Sequence, residues 1–211
     1  MTVRGPREPT DAEAEYIRHR VKQELRRRMK NLRAALPREA RAARSRAAAE
    51  RVVALEAFQR AGTVLSFVSV RAEIDPAEVV HAAREAGKRV ALPRVDFDRM
   101  ELLLHAWQAG DSLEVGGYGI PEPAPSAPEV DAGEVDLVLV PALAVDGEGY
   151  RIGYGQGFYD RLLPRLPNAL RCALAYDFQL LSEVPRTEGD EPVHVIATDS
   201  RVMMIGDPGA G

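Results

Sequence analysis

The 211-residue chain has one cysteine, one tryptophan and only 6% aromatic residues. A lone Cys172 excludes internal disulfides and a thiolate-built metal centre. A reducing cytoplasm is therefore the expected compartment, and the thiol is expected to be buried and inert. No apolar run approaches the roughly 18 residues of a membrane span, and residues 1–16 lack the hydrophobic stretch of a secretion signal. No membrane partner is expected. Lys and Arg number 28 against 32 Asp and Glu, a net charge of −4. Without a basic excess to displace counterions, nucleic acid is not an expected partner either. No internal repeat is visible. His81, His105 and His194 lack metal-ligand spacing and no Ser/His/Asp set declares itself, so hydrolysis by a nucleophilic side chain has no support.

What is present is ordinary globular material, 45% hydrophobic and 28% charged. One domain is expected over residues 10–205, between flexible polar tails at 1–9 and 206–211. Thr10 and Glu13 form a capping-box pattern, which predicts a helix onset. Along it Ile17, Val21, Leu25, Met29, Leu32 and Leu36 recur every three or four residues, a stripe expected to face the core. Beside it run Lys22, Arg26, Lys30 and Arg33, either a solvated basic face or, for Lys22 and Arg26, a joint reach toward an anion. Pro37 ends this helix and starts an Ala- and Arg-rich second one to about Phe58, giving an N-terminal helical pair. Residues 63–70 read as a buried strand. Asp75, Pro76 and Glu78 open a helix that Gly87 stops, and residues 89–95 form the next strand. Strand, helix, strand at this spacing predicts a parallel sheet. Further strands are expected at 100–107, 169–176, 193–197 and 202–205, with a helical turn at 178–181 and a Gly/Pro loop at 116–130.

The densest stretch is 137–160, LVLVPALAVDGEGYRIGYGQGFYD. Leu137 to Val140 is a continuous aliphatic run, the mark of a strand buried on both faces. Gly147 and Gly149 turn the chain. Gly153, Gly155 and Gly157 then alternate with Tyr154, Gln156 and Phe158, an arrangement that lets backbone N–H groups crowd a ligand. Arg151 offers an always-charged fork, and a helix over 158–166 would aim its amino end at the same anion. Asp160, in that first turn, could hold a magnesium ion bridging phosphate oxygens. The GYGQG run is neither GxGxxG nor a P-loop. Glu73, just past the first strand, lies where α/β sheets bind ligands; a surface ion pair with Arg71 is the plainer alternative. Glu188, Asp190 and Glu191 are either a solvated loop or a source of a second magnesium ligand.

In order and spacing, Lys22-x-x-Leu25-Arg26, Glu73, the Tyr-Gly-Ile-Pro-Glu-Pro ending at Pro123, Val140-Pro141-Ala142-Leu143-Ala144 with Asp146, and Arg151-x-Gly153-x-Gly155-x-Gly157-x-Tyr159-Asp160 resemble the 5-formyltetrahydrofolate cyclo-ligases, also called methenyltetrahydrofolate synthetases. The resemblance spans about 22–198. It implies an α/β fold with a mostly parallel sheet flanked by helices, in a Rossmann-like three-layer arrangement. It also implies ATP- and Mg²⁺-dependent closure of 5-formyltetrahydrofolate to the 5,10-methenyl form with release of ADP and phosphate. A small folate, free or polyglutamylated, would be the partner, and a monomer is expected. By position, Lys22 and Arg151 look catalytic. Lys22, Arg26 and the loop Arg151, Gly153, Tyr154, Gly155, Gln156, Gly157, Phe158 and Tyr159 look nucleotide-binding. Val68, Glu73, Met100, Tyr118 and Tyr154 look folate-binding, and Asp160 and Asp190 look like metal carboxylates. Many relatives carry a basic residue or Gly where Gln156 stands and Tyr where Phe158 stands. The competing reading is a folate- or nucleotide-binding protein of this fold without cyclo-ligase activity. Keeping Lys22, Arg26, Glu73, Arg151 and Asp160 together speaks against it.

Overall fold

A computed structural model describes residues 10–206, so the two expected tails, Gly206 apart, lie outside the described residues. Thr10 caps α1 (Asp11–Ala35) with a complete capping box: its hydroxyl accepts from the Glu13 N–H, and the Glu13 carboxylate accepts from the Thr10 N–H at 2.7 Å. Pro37 then precedes α2 (Arg38–Val53), which breaks at Ala54–Leu55 and restarts as α3 (Glu56–Arg60). The expected unbroken helix to Phe58 is corrected by packing. In one helix Val52 and Phe58, six residues apart, would point to different sides, yet both are buried in the same core.

The order continues β1 (Thr63–Leu65), α4 (Ala77–Glu85), β2 (Arg89–Asp96), β3 (Glu101–Ala106), β4 (Leu113–Val115), β5 (Pro121–Pro123), β6 (Leu137–Pro141), β7 (Ala144–Asp146), β8 (Arg151–Ile152), α5 (Phe158–Leu162), β9 (Leu170–Ala175), β10 (Leu180–Leu181), β11 (Val195–Thr198) and β12 (Val202–Met204). Seven strands form the main sheet in the order β12-β11-β9-β6-β1-β2-β3. The inner five are parallel, and antiparallel β12 and β3 close the edges. The expected mostly parallel α/β architecture is therefore what forms. A second, three-stranded sheet, β10-β7-β8, was not anticipated.

From β1 the chain builds outward to β2 in one direction and, from β6, to β9 in the other. The carboxyl ends of β1 and β6 therefore flank a topological switch point, where open α/β sheets form a crevice. In β6, Leu137 and Leu139 join α2, α3 and α4 on one face, while Val138 and Val140 join Leu162, Leu163 and Leu166 on the other. That double burial is why the run reads as unbroken. Cys172 is fully buried and its thiol is pushed up to about 12 by burial, the inert state expected.

Three expectations shorten or shift. The strand read at 63–70 stays in the sheet only to Leu65; Ser66 N–H to Ala91 O is its last rung, after which the chain leaves to deliver Glu73 to the crevice. The helix read at 158–166 is five residues of α-helix followed by a 3-10 turn at Leu163–Arg165, because Pro164 has no N–H to continue the ladder. The apolar stripe of α1 faces the core only in part: Met29 is buried and Leu25 and Leu36 pack against core residues, but Ile17, Val21 and Leu32 are exposed, and the polar Lys22 and Arg33 are buried instead.

Candidate active site

The buried face of α1 carries polar residues beside Met29 because of what covers it. Lys22 donates from Nζ to Asp190 at 2.6 Å and to the Thr187 hydroxyl at 2.8 Å. One turn on, Arg26 Nε donates to the Gly153 carbonyl at 2.9 Å. Two turns further, Arg33 Nη2 donates to the Tyr154 hydroxyl at 2.6 Å. Arg26 and Arg33 are thus seated on the glycine loop and Lys22 on the turn bearing Thr187 and Asp190, and the solvated-face alternative does not hold for these three residues. Arg26 is part-buried, and burial lowers its proton affinity against the pull of Asp190.

Arg151 leads out of β8 and is buried, 7% exposed. Its Nη1 donates to the Glu191 carbonyl at 2.6 Å and its Nη2 to Asp160 Oδ1 at 3.0 Å. Asp160 also accepts from the Glu191 N–H at 3.3 Å, which draws the turn carrying Asp190 against α5. Burial lowers the Arg151 pKa, with Asp160 the main opposing influence. Each acid expected to hold metal is thus matched to a cation, Asp160 to Arg151 and Asp190 to Lys22. Among the described residues no group of three or more His, Cys, Asp or Glu side chains is poised for a metal. Two hard carboxylates suit a magnesium ion only where ligand oxygens and water complete its shell.

Glu73 is 8% exposed and makes no pair with Arg71. Its Oε2 accepts from the Val70 N–H at 2.9 Å, while Oε1 accepts from the Tyr154 hydroxyl at 2.5 Å and lies 3.6 Å from Arg33. Val68 is half-buried on the stretch leading there. Tyr159 presents a buried hydroxyl with no partner among the described residues, raised in pKa by burial first and then by Glu73, with Arg151 acting the other way. Its hydroxyl therefore feels both clusters.

At the mouth, Tyr118 donates to Gln156 Oε1 at 3.1 Å and packs edge-on to Phe158, ring centroids 6.1 Å apart. Arg161 donates to the carbonyls of Met100 and Gln156 and stacks over Phe158. Tyr118 and Met100 hold left-handed backbone, φ 56 and 54. Glu122 braces the former by accepting the Gly117 N–H at 3.0 Å, which gives the Pro-Glu-Pro run a structural reason. A cavity of about 760 Å³ lies elsewhere, at the amino ends of the strands beside Leu55, Asp136 and Met204, and includes none of these residues.

Nearly all the residues read from the sequence meet here. Sequence reasoning missed Arg33, although it lies on the basic stripe already noted; Glu191 stood out only as part of an acidic cluster, and Thr187 and Arg161 gave no local signal at all. Fold and site define a three-layer α/β enzyme whose cations gather at the switch point around a glycine loop. The 5-formyltetrahydrofolate cyclo-ligase family model matches residues 18–199, and the chain belongs to that family. It is similar to the 5-formyltetrahydrofolate cyclo-ligase of Mycolicibacterium smegmatis, 37% identical over 145 residues, covering 66% of this chain and 74% of that protein. The Escherichia coli K12 cyclo-ligase is 31% identical over 159 residues, covering 74% and 87%. The solved 5,10-methenyltetrahydrofolate synthetase of Aquifex aeolicus superposes with a TM-score of 0.79 at 33% identity, covering 89% and 94%.

Proposed function

We propose that residues 10–205 act as one cyclo-ligase domain that converts 5-formyltetrahydrofolate and ATP to 5,10-methenyltetrahydrofolate, ADP and phosphate. The observation that carries this reading is a linked set of side chains: Arg26 on the Gly153 carbonyl, Arg151 on Asp160, Lys22 on Asp190, and the buried carboxylate of Glu73 on Tyr154 of the glycine loop. A formamide oxygen is a poor leaving group. Attack of that oxygen on the γ-phosphorus, with ADP departing, makes the formyl carbon imidate-like. The folate N10 then attacks this carbon, loses its proton, and phosphate leaves with the former formyl oxygen. Such chemistry needs positioning and charge neutralisation more than acid–base machinery, in keeping with the absence of a nucleophile motif.

In this reading Lys22, Arg26 and Arg151 face phosphate oxygens, and the loop from Gly153 to Tyr159 wraps the nucleotide. Glu73 holds the pterin by hydrogen bonds, with Val68, Met100, Tyr118 and Tyr154 as walls. Tyr159, with its unpartnered hydroxyl, is a donor awaiting a ligand oxygen. Asp160 and Asp190 would hold a magnesium ion, which neutralises phosphate charge when bound. The chain is read as a cytoplasmic monomer.

Purified protein mixed with 5-formyltetrahydrofolate, ATP and magnesium is expected to form methenyl-folate, followed by absorbance, only when all three are present. A folded protein that binds ATP yet forms no product would instead support a binding role. Gly155→Ala tests the loop. Its φ of 101° suits glycine alone, and a Cβ there would stand 3.3 Å from the Arg26 guanidinium. With about 1–3 kcal/mol of backbone strain, the KM for ATP is expected to rise about tenfold; an unchanged KM would remove the loop from the nucleotide site.

A further inference from the structure

We propose that Arg33 is a positioning residue for folate: it fixes the Glu73 carboxylate and the Tyr154 hydroxyl relative to each other. This rests on the reading that Glu73 holds the pterin. The two ideas fail separately in the test below.

Arg33 is 3% exposed, an expensive place for a guanidinium unless anions and acceptors surround it. It sits on α1, Glu73 follows β1, and Tyr154 belongs to the glycine loop, so three separate elements meet at one oxygen. Glu73 Oε1 takes the Tyr154 hydroxyl at 2.5 Å, and the same hydroxyl oxygen takes Arg33 Nη2 at 2.6 Å, with Arg33 Nη1 3.6 Å from Oε1. The other carboxylate oxygen is held by the Val70 N–H. Oε1 is therefore the atom that would accept a donor from a pterin, and in the free chain Tyr154 already occupies it. A ligand taking Oε1 displaces or shares that phenol. Arg33 gives the tyrosine oxygen a second partner and keeps the phenol in place while Glu73 changes hands.

Two further facts fit. Arg33 Nε is buried without a partner among the described residues, so the guanidinium is not there merely to satisfy its own hydrogen bonds. Lys30, one turn earlier, lies 5.1 Å from the centre of the Tyr154 ring, and the Arg33 guanidinium carbon 5.8 Å, so the ring is gripped from α1 as well as the hydroxyl. Burial and Glu73 push the Tyr154 phenol up to about 12, further still from ionising at neutral pH than an ordinary tyrosine.

The test is equilibrium binding of 5-formyltetrahydrofolate, without ATP, to Arg33→Met, Arg33→Lys, Glu73→Gln and the Arg33→Met/Glu73→Gln double variant, with ATP binding measured on each. Arg33→Met is expected to weaken folate binding about 10- to 100-fold, the range for stranding buried hydrogen-bonding groups, and to leave the Kd for ATP within about threefold. Arg33→Lys, which keeps the charge without the fork, is expected to recover part of the loss. The double variant is expected to bind no more weakly than the poorer single variant, since the two side chains act as a unit. Unchanged folate binding in Glu73→Gln would overturn the Glu73 reading and the proposal with it. Weakened binding in Glu73→Gln with wild-type binding in Arg33→Met would overturn the Arg33 proposal alone. So would equal losses for folate and ATP, the result of a merely structural role. If Arg33→Met fails to fold, Arg33→Lys carries the same comparison: selective loss for folate supports the proposal and wild-type binding refutes it.

Discussion

Arg151→Met is expected to lower turnover about 10²- to 10³-fold, the loss seen when one preorganised donor to transition-state charge is removed. Arg151 reaches the site from β8 already dry, with one arm on the Glu191 carbonyl and the other on Asp160. A guanidinium held this way needs no reorganisation as charge develops on a phosphoryl group, and its low exposure strengthens every interaction it makes. The same substitution leaves Asp160 without its cation and the Glu191 carbonyl without its donor. A stability loss of about 1–3 kcal/mol is therefore expected alongside. Rapid-quench measurement of ADP formation and a denaturant melt, taken together, separate the two effects. Arg151→Lys sharpens the comparison: it restores a charge but not two divergent donors, so stability should return further than rate. Wild-type turnover in folded Arg151→Met would remove Arg151 from the chemistry.

Local signals carried much of this molecule. The Thr10/Glu13 capping box, the βαβ spacing from Thr63 to Asp96 and the doubly buried Leu137–Val140 run each depend on near neighbours, and each appears where the sequence puts it. The apolar stripe of α1 misled for part of its length because periodicity reports amphipathicity and not which residues dock. Met29 and Leu25 pack on Leu143, Ile152 and Val184 as the stripe implies, but the glycine loop and the turn bearing Thr187 and Asp190 are rich in polar groups, so Lys22, Arg26 and Arg33 turned inward as well. The second sheet escaped for a related reason. Strands of two or three residues carry no alternation to detect, and β10 joins β7 only after an intervening strand of the main sheet.

The site was legible where a residue type was costly in its place, and illegible where its meaning depended on a distant partner. Glu73 at a strand's end and Arg151 before three glycines stand out in any window of the chain. Arg33 acquires significance only through Tyr154, 121 positions away, and Lys22 through Asp190, 168 positions away. Gln156 shows the converse. Its departure from the pattern of relatives drew attention as a lost cation, yet in the fold it accepts the Tyr118 hydroxyl and Arg161 grips its carbonyl, so it joins two walls of the mouth.

Asp160→Asn is expected to raise the magnesium concentration for half-maximal turnover about tenfold, a cost of about 1.4 kcal/mol. In the free chain Asp160 balances Arg151 and Asp190 balances Lys22, so the four side chains carry no net charge. A phosphate chain adds several negative charges at once. Lys22 can turn toward its oxygens and Arg151 can meet them with the N–H groups it has left over, so carboxylate oxygens of Asp160 and Asp190 stay available for a cation. Asparagine at 160 keeps the shape and can still accept from Arg151, but it offers a neutral oxygen where a hard dication prefers a charged one. Stability should fall too, because Arg151, with a side chain 3% exposed, loses its anion. The measurement is turnover against free magnesium at saturating ATP, repeated for Asp190→Asn. That second variant should show a comparable shift in magnesium and, because Lys22 loses its anion, a weaker fold as well. Identical magnesium titrations for wild type and both variants would take these carboxylates out of metal binding and leave them as counter-ions alone.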